Sequence, residues 1–251
     1  MRPVTSGSAV MLLSFALVRG ALAQQGEFPL PPKDWAPPVH DRPVIPFLLV
    51  DRLEQRWQKG NDLRVWDAQG WVGGDYDKLW FKSEGEDEKG GRTAQASVEA
   101  LYARLISPFW YLQGGVRYEE RPSPSRSSLA LGVQGLAPYW FDVEATTYLD
   151  EKGKLSARFE AEYDFLFTQR LILQPRAETT FAAYSEPERG VGQGFNNLEL
   201  GLRLRYEIRR QLAPYIGVTW SRKLGDTADI ARRANTEVSE KALVAGLRVW
   251  F

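Results

Sequence analysis

Apolar and polar residues alternate along most of this chain with a period of two, the pattern of β-strands that keep one face greasy and the other wet. The cleanest run sets Leu155, Ala157, Phe159, Ala161, Tyr163 and Phe165 against Arg158, Glu160, Glu162 and Asp164. Trp66, Ala68, Gly70 and Val72 alternate in the same way with Val65, Asp67, Gln69 and Trp71. After the turn residues Gly73, Gly74 and Asp75 the pattern resumes, with Leu79 and Phe81 opposite Lys78, Trp80 and Lys82. The last strand carries Leu243, Ala245, Leu247, Val249 and Phe251 on one face. Along the whole chain this gives about twelve strands of roughly ten residues, joined alternately by short turns and longer polar connections. That asymmetry predicts an all-β fold, an antiparallel transmembrane β-barrel of the outer-membrane type with both ends on the periplasmic side. Fusing Leu63 to Lys82 into one bent strand gives the even alternative of about ten, but Gly73, Gly74 and Asp75 are better turn residues than strand residues. A secreted β-sandwich also alternates and is the competing architecture.

The chain ahead of the strands has a different texture. Met1 and Arg2 precede an apolar stretch from Ala9 to Val18, and Ala21, Leu22 and Ala23 form a small-x-small cleavage site, so residues 1–23 read as a signal peptide. Residues 24–46 contain Pro29, Pro31, Pro32, Pro37, Pro38, Pro43 and Pro46, too dense for helix, and read as an extended Pro-rich periplasmic arm ahead of a barrel over residues 47–251. No later run approaches the roughly 18 apolar residues of a transmembrane helix. Loss of the signal peptide removes Arg2 and Arg19 from 32 basic residues and leaves all 32 acidic ones, so no basic excess suited to nucleic acid remains. Aromatics reach 12% in an otherwise polar composition, which a membrane barrel reconciles by giving half of each strand to lipid and half to a polar lumen. Cysteine is absent, both methionines lie in the signal peptide, and His40 is the single histidine.

The polar strand faces define a lumen lined by Arg52, Glu54, Arg56, Asp67, Lys78, Lys82, Glu99, Arg117, Glu119, Asp142, Glu144, Arg158, Glu160, Glu162, Arg176, Glu178, Glu199, Arg203, Arg205 and Arg248. Both signs interleave, which fits either a salt-bridge network that fills the barrel or a narrow path for a small cation. Candidate metal ligands are few. His40 and Asp41 in the arm offer a transition-metal ion one imidazole and one carboxylate, a weak set. Asp75 and Asp77 at a predicted turn, and Glu84 and Glu86 in an acidic run expected in an outer loop, offer oxygen donors to divalent cations. Trp71, Tyr76, Trp80, Trp110, Tyr139, Trp140, Trp220 and Trp250 fall near predicted strand ends, where an interfacial girdle is expected. A lone histidine in an arm without fixed geometry is poorly placed for a catalytic triad, and no zinc-hydrolase spacing or phosphate-cradling glycine loop appears, so no enzymatic activity is expected.

The string WDAQGWVGGDYDKLWFKSEGE from Trp66 to Glu86, and the longer one from Gln193 to Asp229, resemble the copper resistance protein B family of Gram-negative outer membranes, and the likeness runs from about Val44 to Phe251. The resemblance implies a cell outer-membrane protein of copper resistance and homeostasis that binds or moves copper ions, with copper as its ion. A general passive diffusion channel and a non-conducting structural or docking barrel are the alternatives. By the same resemblance its surroundings are outer-membrane lipid, the barrel-assembly machinery, which would read the C-terminal strand ending in Phe251, and a periplasmic multicopper oxidase. Members of the family often carry a Met- and His-rich segment ahead of the barrel, and this chain departs from that pattern.

Overall fold

The computed structural model describes residues 43–88, 92–121 and 123–251. The strands are β1 (Ile45–Gln58), β2 (Leu63–Gly73), β3 (Asp77–Glu88), β4 (Arg92–Ser107), β5 (Trp110–Arg121), β6 (Arg126–Ala137) and β7 (Phe141–Asp150). They continue with β8 (Leu155–Glu162), β9 (Phe165–Leu166), β10 (Leu171–Ala182), β11 (Gly194–Tyr206), β12 (Leu212–Lys223) and β13 (Ser239–Trp250), with helix α1 (Gly225–Arg233) between the last two. Every strand pairs antiparallel with its neighbours, and β1 pairs with β13 and β10 with β11, so the sheet closes on itself; only the short β9 is paired on one side, with β10. β8 and β9 run along the same edge of β10, which makes twelve positions in the ring, the count that alternation predicts. Their interruption has a cause in sequence: Tyr163 N–H donates to the Pro175 carbonyl at 3.2 Å, but proline has no N–H to return the bond.

The seam between β1 and β13 runs from Leu49 opposite Trp250 to Gln58 opposite Ala242, and at its end Leu48 and Phe251 exchange backbone hydrogen bonds of 3.0 and 2.8 Å. A bulge lies at Asp51, because Val50 pairs with Ala68 while Arg52 pairs with Asp67. The extra residue turns two successive polar side chains, Asp51 and Arg52, inward. Leucine, valine and aromatic side chains on the opposite parity are exposed around the outside, Leu129, Leu131, Ile216 and Leu243 among them. They form the lipid-facing surface.

Four sequence-based expectations change in detail. β1 begins at Ile45, so Ile45 and Pro46 belong to the barrel rather than to the arm. The acidic run Glu84 to Glu88 is the second half of β3 and not an outer loop, because its inward carboxylates find arginines across the lumen. One of the longer polar connections, between β12 and β13, folds its first part into α1. Trp71 and Trp80 face the interior, where Trp80, 9% exposed, packs with Leu101, Ala103, Ala130 and Tyr148, with Trp71 and Tyr111 against them. Phe47, Trp71, Trp80 and Tyr111 form a continuous inner arc at the short-turn rim, with successive ring centroids 5.6, 6.3 and 6.2 Å apart. Lys78 Nζ lies 3.9 Å from the Trp71 ring centroid, within cation–π range. Tyr76, Tyr139 and Trp140 remain exposed at this rim, as a girdle requires.

Candidate functional site

The barrel interior is a chain of alternating charges. Arg117 on β5 contacts Glu84 on β3 at 3.2 Å, Glu84 contacts Arg158 on β8 at 2.5 Å, and Arg158 contacts Glu178 on β10 at 3.1 Å. Arg176 holds Glu178 at 2.9 Å, Glu160 at 2.6 Å and Glu162 at 2.9 Å. It also lies 4.0 Å from Glu199 on β11, which pairs with Arg56 on β1 at 3.1 Å. Arg56 continues to Glu54 at 2.7 Å, and Glu54 accepts two hydrogen bonds of 3.1 Å from Arg203 and one of 3.1 Å from the Tyr215 hydroxyl. Ions taken out of water need such partners, because an unpaired buried charge costs several kcal/mol, on the order of 3–5 when one member of a pair is removed. Alternation supplies them by placing arginine and glutamate on the same parity of strands that are distant in sequence.

Between this belt and the aromatic arc is a cavity of about 90 Å3. Its walls carry the carboxylates of Asp51, Asp67, Glu84, Glu99, Asp142, Glu144, Glu160 and Glu162, against only Lys82, Arg158 and Arg248 as cations. Several carboxylates are already engaged: Asp67 by Arg52 at 2.7 Å, Glu144 by Lys82 at 2.6 Å, Asp51 by Arg248 at 2.7 Å, and Glu99 by the Tyr148 hydroxyl at 2.9 Å. Arg117 and Arg176 also reach Glu84, Glu99, Glu160 and Glu162 from behind this lining, so the eight carboxylates meet six cations, and Asp142 makes no ion pair among the described residues.

On the long-loop side a smaller network pins the connections together. Arg126 meets Glu186 at 2.5 Å and Asp150 at 3.2 Å, Lys154 meets Glu186 at 3.1 Å, and Arg189 meets Glu119 at 2.9 Å. Burial opposes ionisation of the Glu186 carboxylate, but the hydrogen bonds from Arg126 and Lys154 outweigh it and hold Glu186 below the ordinary carboxylate range. Thr227 of α1 accepts a hydrogen bond from Gly192 N–H at 2.8 Å, which ties the helix to the connection ahead of β11.

The structure brings Asp67, Glu99, Arg117, Glu144, Arg158, Glu160, Glu162, Arg176, Glu178, Glu199, Arg203 and Arg248 together inside the barrel. Of the candidate metal ligands, His40 and Asp41 lie outside the described residues. Asp75 and Asp77 sit at the β2–β3 turn, where Asp77 accepts a 2.5 Å hydrogen bond from the Tyr102 hydroxyl. Glu84 and Glu86 are interior residues, and Glu86 lies 3.5 Å from Arg56. Among the described residues no group of three or more His, Cys, Asp or Glu side chains is arranged to hold a metal ion. Among the interior residues that escape sequence reasoning are Asp51, whose direction depends on the bulge, and Tyr148 and Tyr215, whose rings sit on the polar parity and whose hydroxyls bind carboxylates.

Residues 44–251 match the family described as Copper resistance protein B precursor (CopB). A Copper resistance protein B homolog of Pseudomonas syringae pv. tomato is 45% identical over 215 residues, covering 85% of this chain and 72% of that relative. The chain belongs to the copper resistance protein B family. A Copper resistance protein B of Escherichia coli is 43% identical over the same length. Among solved structures the NanC porin superposes with a TM-score of 0.55, over 80% of this chain and 98% of that one, at 12% identity, which speaks for the fold alone. Family and fold together give this barrel a role in copper resistance and a place in the outer membrane of a Gram-negative cell.

Proposed function

We propose that this family member acts in copper resistance by admitting copper cations to the acidic chamber of its lumen, where they exchange between carboxylates on their way through or along the outer membrane. The observation that carries the reading is the excess of carboxylates over cations around the chamber. Its donors are oxygens, so it suits weak and reversible contact with Cu(II) and offers none of the thiolate or thioether ligands that retain Cu(I). Weak, multiple contacts favour passage over storage. The barrel needs no catalysis of its own for this. A periplasmic multicopper oxidase is the partner that family resemblance carries over, and Phe251 at the end of the closing strand is the feature offered to the assembly machinery.

The test is growth on copper together with periplasmic copper content, compared between wild type, a deletion strain and a strain carrying Asp142→Asn with Glu162→Gln. The deletion is expected to change both readouts and the double variant to reproduce part of the change. A deletion that alters neither sinks the copper reading. The second reading, a non-conducting docking barrel, is favoured by the belt of ion pairs that crosses the lumen. Planar-bilayer recordings separate the two: silence in the presence of Cu(II) supports the docking barrel, selective copper current supports passage, and large unselective currents indicate a general diffusion channel.

A further inference from the structure

The outer wall of β11, β12, β13 and β1 carries a groove of about 610 Å3 on the lipid side, close to the long-loop rim. Its two banks are rows of side chains in cross-strand register. One row is Leu202, Val218, Leu243 and Trp57; the other begins Leu200, Trp220 and Lys241. The backbone of Gly201, Thr219 and Ala242 forms the floor between them. Side chains two residues apart on a strand stand about 7 Å apart, which leaves a slot wide enough for one polymethylene chain.

The rim end of the slot is cationic. The β1–β13 ladder ends with Gln58 opposite Ala242, and the next residues on the two chains, Lys59 and Lys241, both line the groove. Lys59 has one carboxylate neighbour, Glu237 at 3.9 Å, and both side chains are largely exposed. Lys241 is exposed and makes no ion pair among the described residues, and Arg222, also exposed and unpaired there, lies two residues beyond Trp220 toward the same rim. Short periplasmic turns and longer extracellular loops orient this end toward the outer leaflet.

We propose that this groove is a binding site for the phosphorylated glycolipid of the outer leaflet, with an acyl chain between the two rows and a phosphate between Lys59 and Lys241. The occupant follows from the pairing of features: an apolar slot in the membrane continuous with exposed cations at headgroup level, of which Lys241 and Arg222 make no ion pair among the described residues, fits an amphiphile with anionic phosphate. A second barrel copy would bring the same lysines against one another.

Native mass spectrometry of the full-length protein in detergent, titrated with lipid A, tests the site. One retained lipid A is expected, at higher affinity than phosphatidylglycerol, and Lys59→Glu with Lys241→Glu should weaken it about tenfold or more. Lys152→Glu, in the exposed β7–β8 turn away from the groove, should leave it unchanged. Val218→Trp fills the slot without altering charge and should also weaken retention, which keeps the test valid if the double charge reversal misfolds on heat-modified gels. Equal retention by Val218→Trp, displacement by inorganic phosphate alone, no preference over phosphatidylglycerol, or a protein dimer in place of the adduct would each overturn the proposal.

Discussion

Replacing Glu54 by glutamine should be among the most damaging isosteric changes in the barrel. The Glu54 side chain is 0% exposed and accepts hydrogen bonds from Arg56 at 2.7 Å, from Arg203 twice at 3.1 Å and from Tyr215 at 3.1 Å. Glutamine keeps the shape but removes the charge and turns an acceptor into a donor that faces other donors. Arg56 retains Glu199 at 3.1 Å and Glu86 at 3.5 Å, so it stays compensated. Arg203 has no second carboxylate among the described residues and becomes a buried guanidinium without a counter-ion. Removing one member of a buried pair costs on the order of 3–5 kcal/mol, and the survival of the Arg56 contacts argues for the lower end. Adding Arg203→Met removes the orphaned charge and should recover most of the loss, since a buried pair and an apolar replacement of similar volume are about equal in free energy. Equilibrium unfolding in urea, followed by tryptophan emission of the reconstituted protein, gives both values. A loss for Glu54→Gln below about 1 kcal/mol, or a double variant no better than the single one, would refute the claim that these charges are held by one another rather than by lumen water.

Arg158→Ala removes the guanidinium that reaches from β8 to Glu84 on β3 and should raise single-channel conductance in planar bilayers; an unchanged conductance would mean that the belt is not the constriction. Glu186 titrates below the ordinary carboxylate range, so its bridge to Arg126 and Lys154 is fully present above that range and is lost as pH falls through the lowered value. Hydrogen-exchange protection factors in the 183–193 connection should fall on acidification, and Glu186→Gln should remove that fall. Gly85 lies under Trp66, where an added Cβ would stand 2.2 Å from the ring, so Gly85→Ala must displace the indole and should cost about 1–3 kcal/mol. Unaltered Trp66 accessibility to brominated lipid would contradict this packing.

Much of this architecture is legible in the sequence because a barrel wall obeys one rule repeated around a ring. The parity that sets Arg158 and Glu160 against Phe159 fixes which way each points, whatever the strand's neighbours are. What parity does not contain is distance across the lumen. Glu84 and Glu86 read as a solvated loop because their counter-ions, Arg158, Arg117 and Arg56, come from strands far along the chain. Trp71 shares its parity with Asp67 and Gln69, and Trp80 shares its parity with Lys78 and Lys82, yet position near a strand end suggested the membrane interface. The register decides between the two cues, and both rings face inward. The bulge at Asp51 has no local signature of this kind, and without it neither Asp51 nor the ion pair with Arg248 would be placed.

The ion pair between Glu84 on β3 and Arg158 on β8 joins walls that stand five strands apart in a ring of twelve, nearly a full diameter. Mechanically it is a strut. A hollow cylinder embedded in a bilayer resists lateral pressure only through the bending stiffness of its wall, and it flattens most readily along its widest span. Here the widest span is tied by a charge-assisted contact of 2.5 Å, the tie from Lys82 to Glu144 runs close beside it from β3 to β7, and the tie from Arg56 to Glu199 spans a shorter chord from β1 to β11. Flattening along any of these lines must first stretch or crush an ion pair. The cross-section therefore keeps its shape as membrane tension changes, and the width of any path through it is set by side-chain rearrangement within the belt rather than by deformation of the wall.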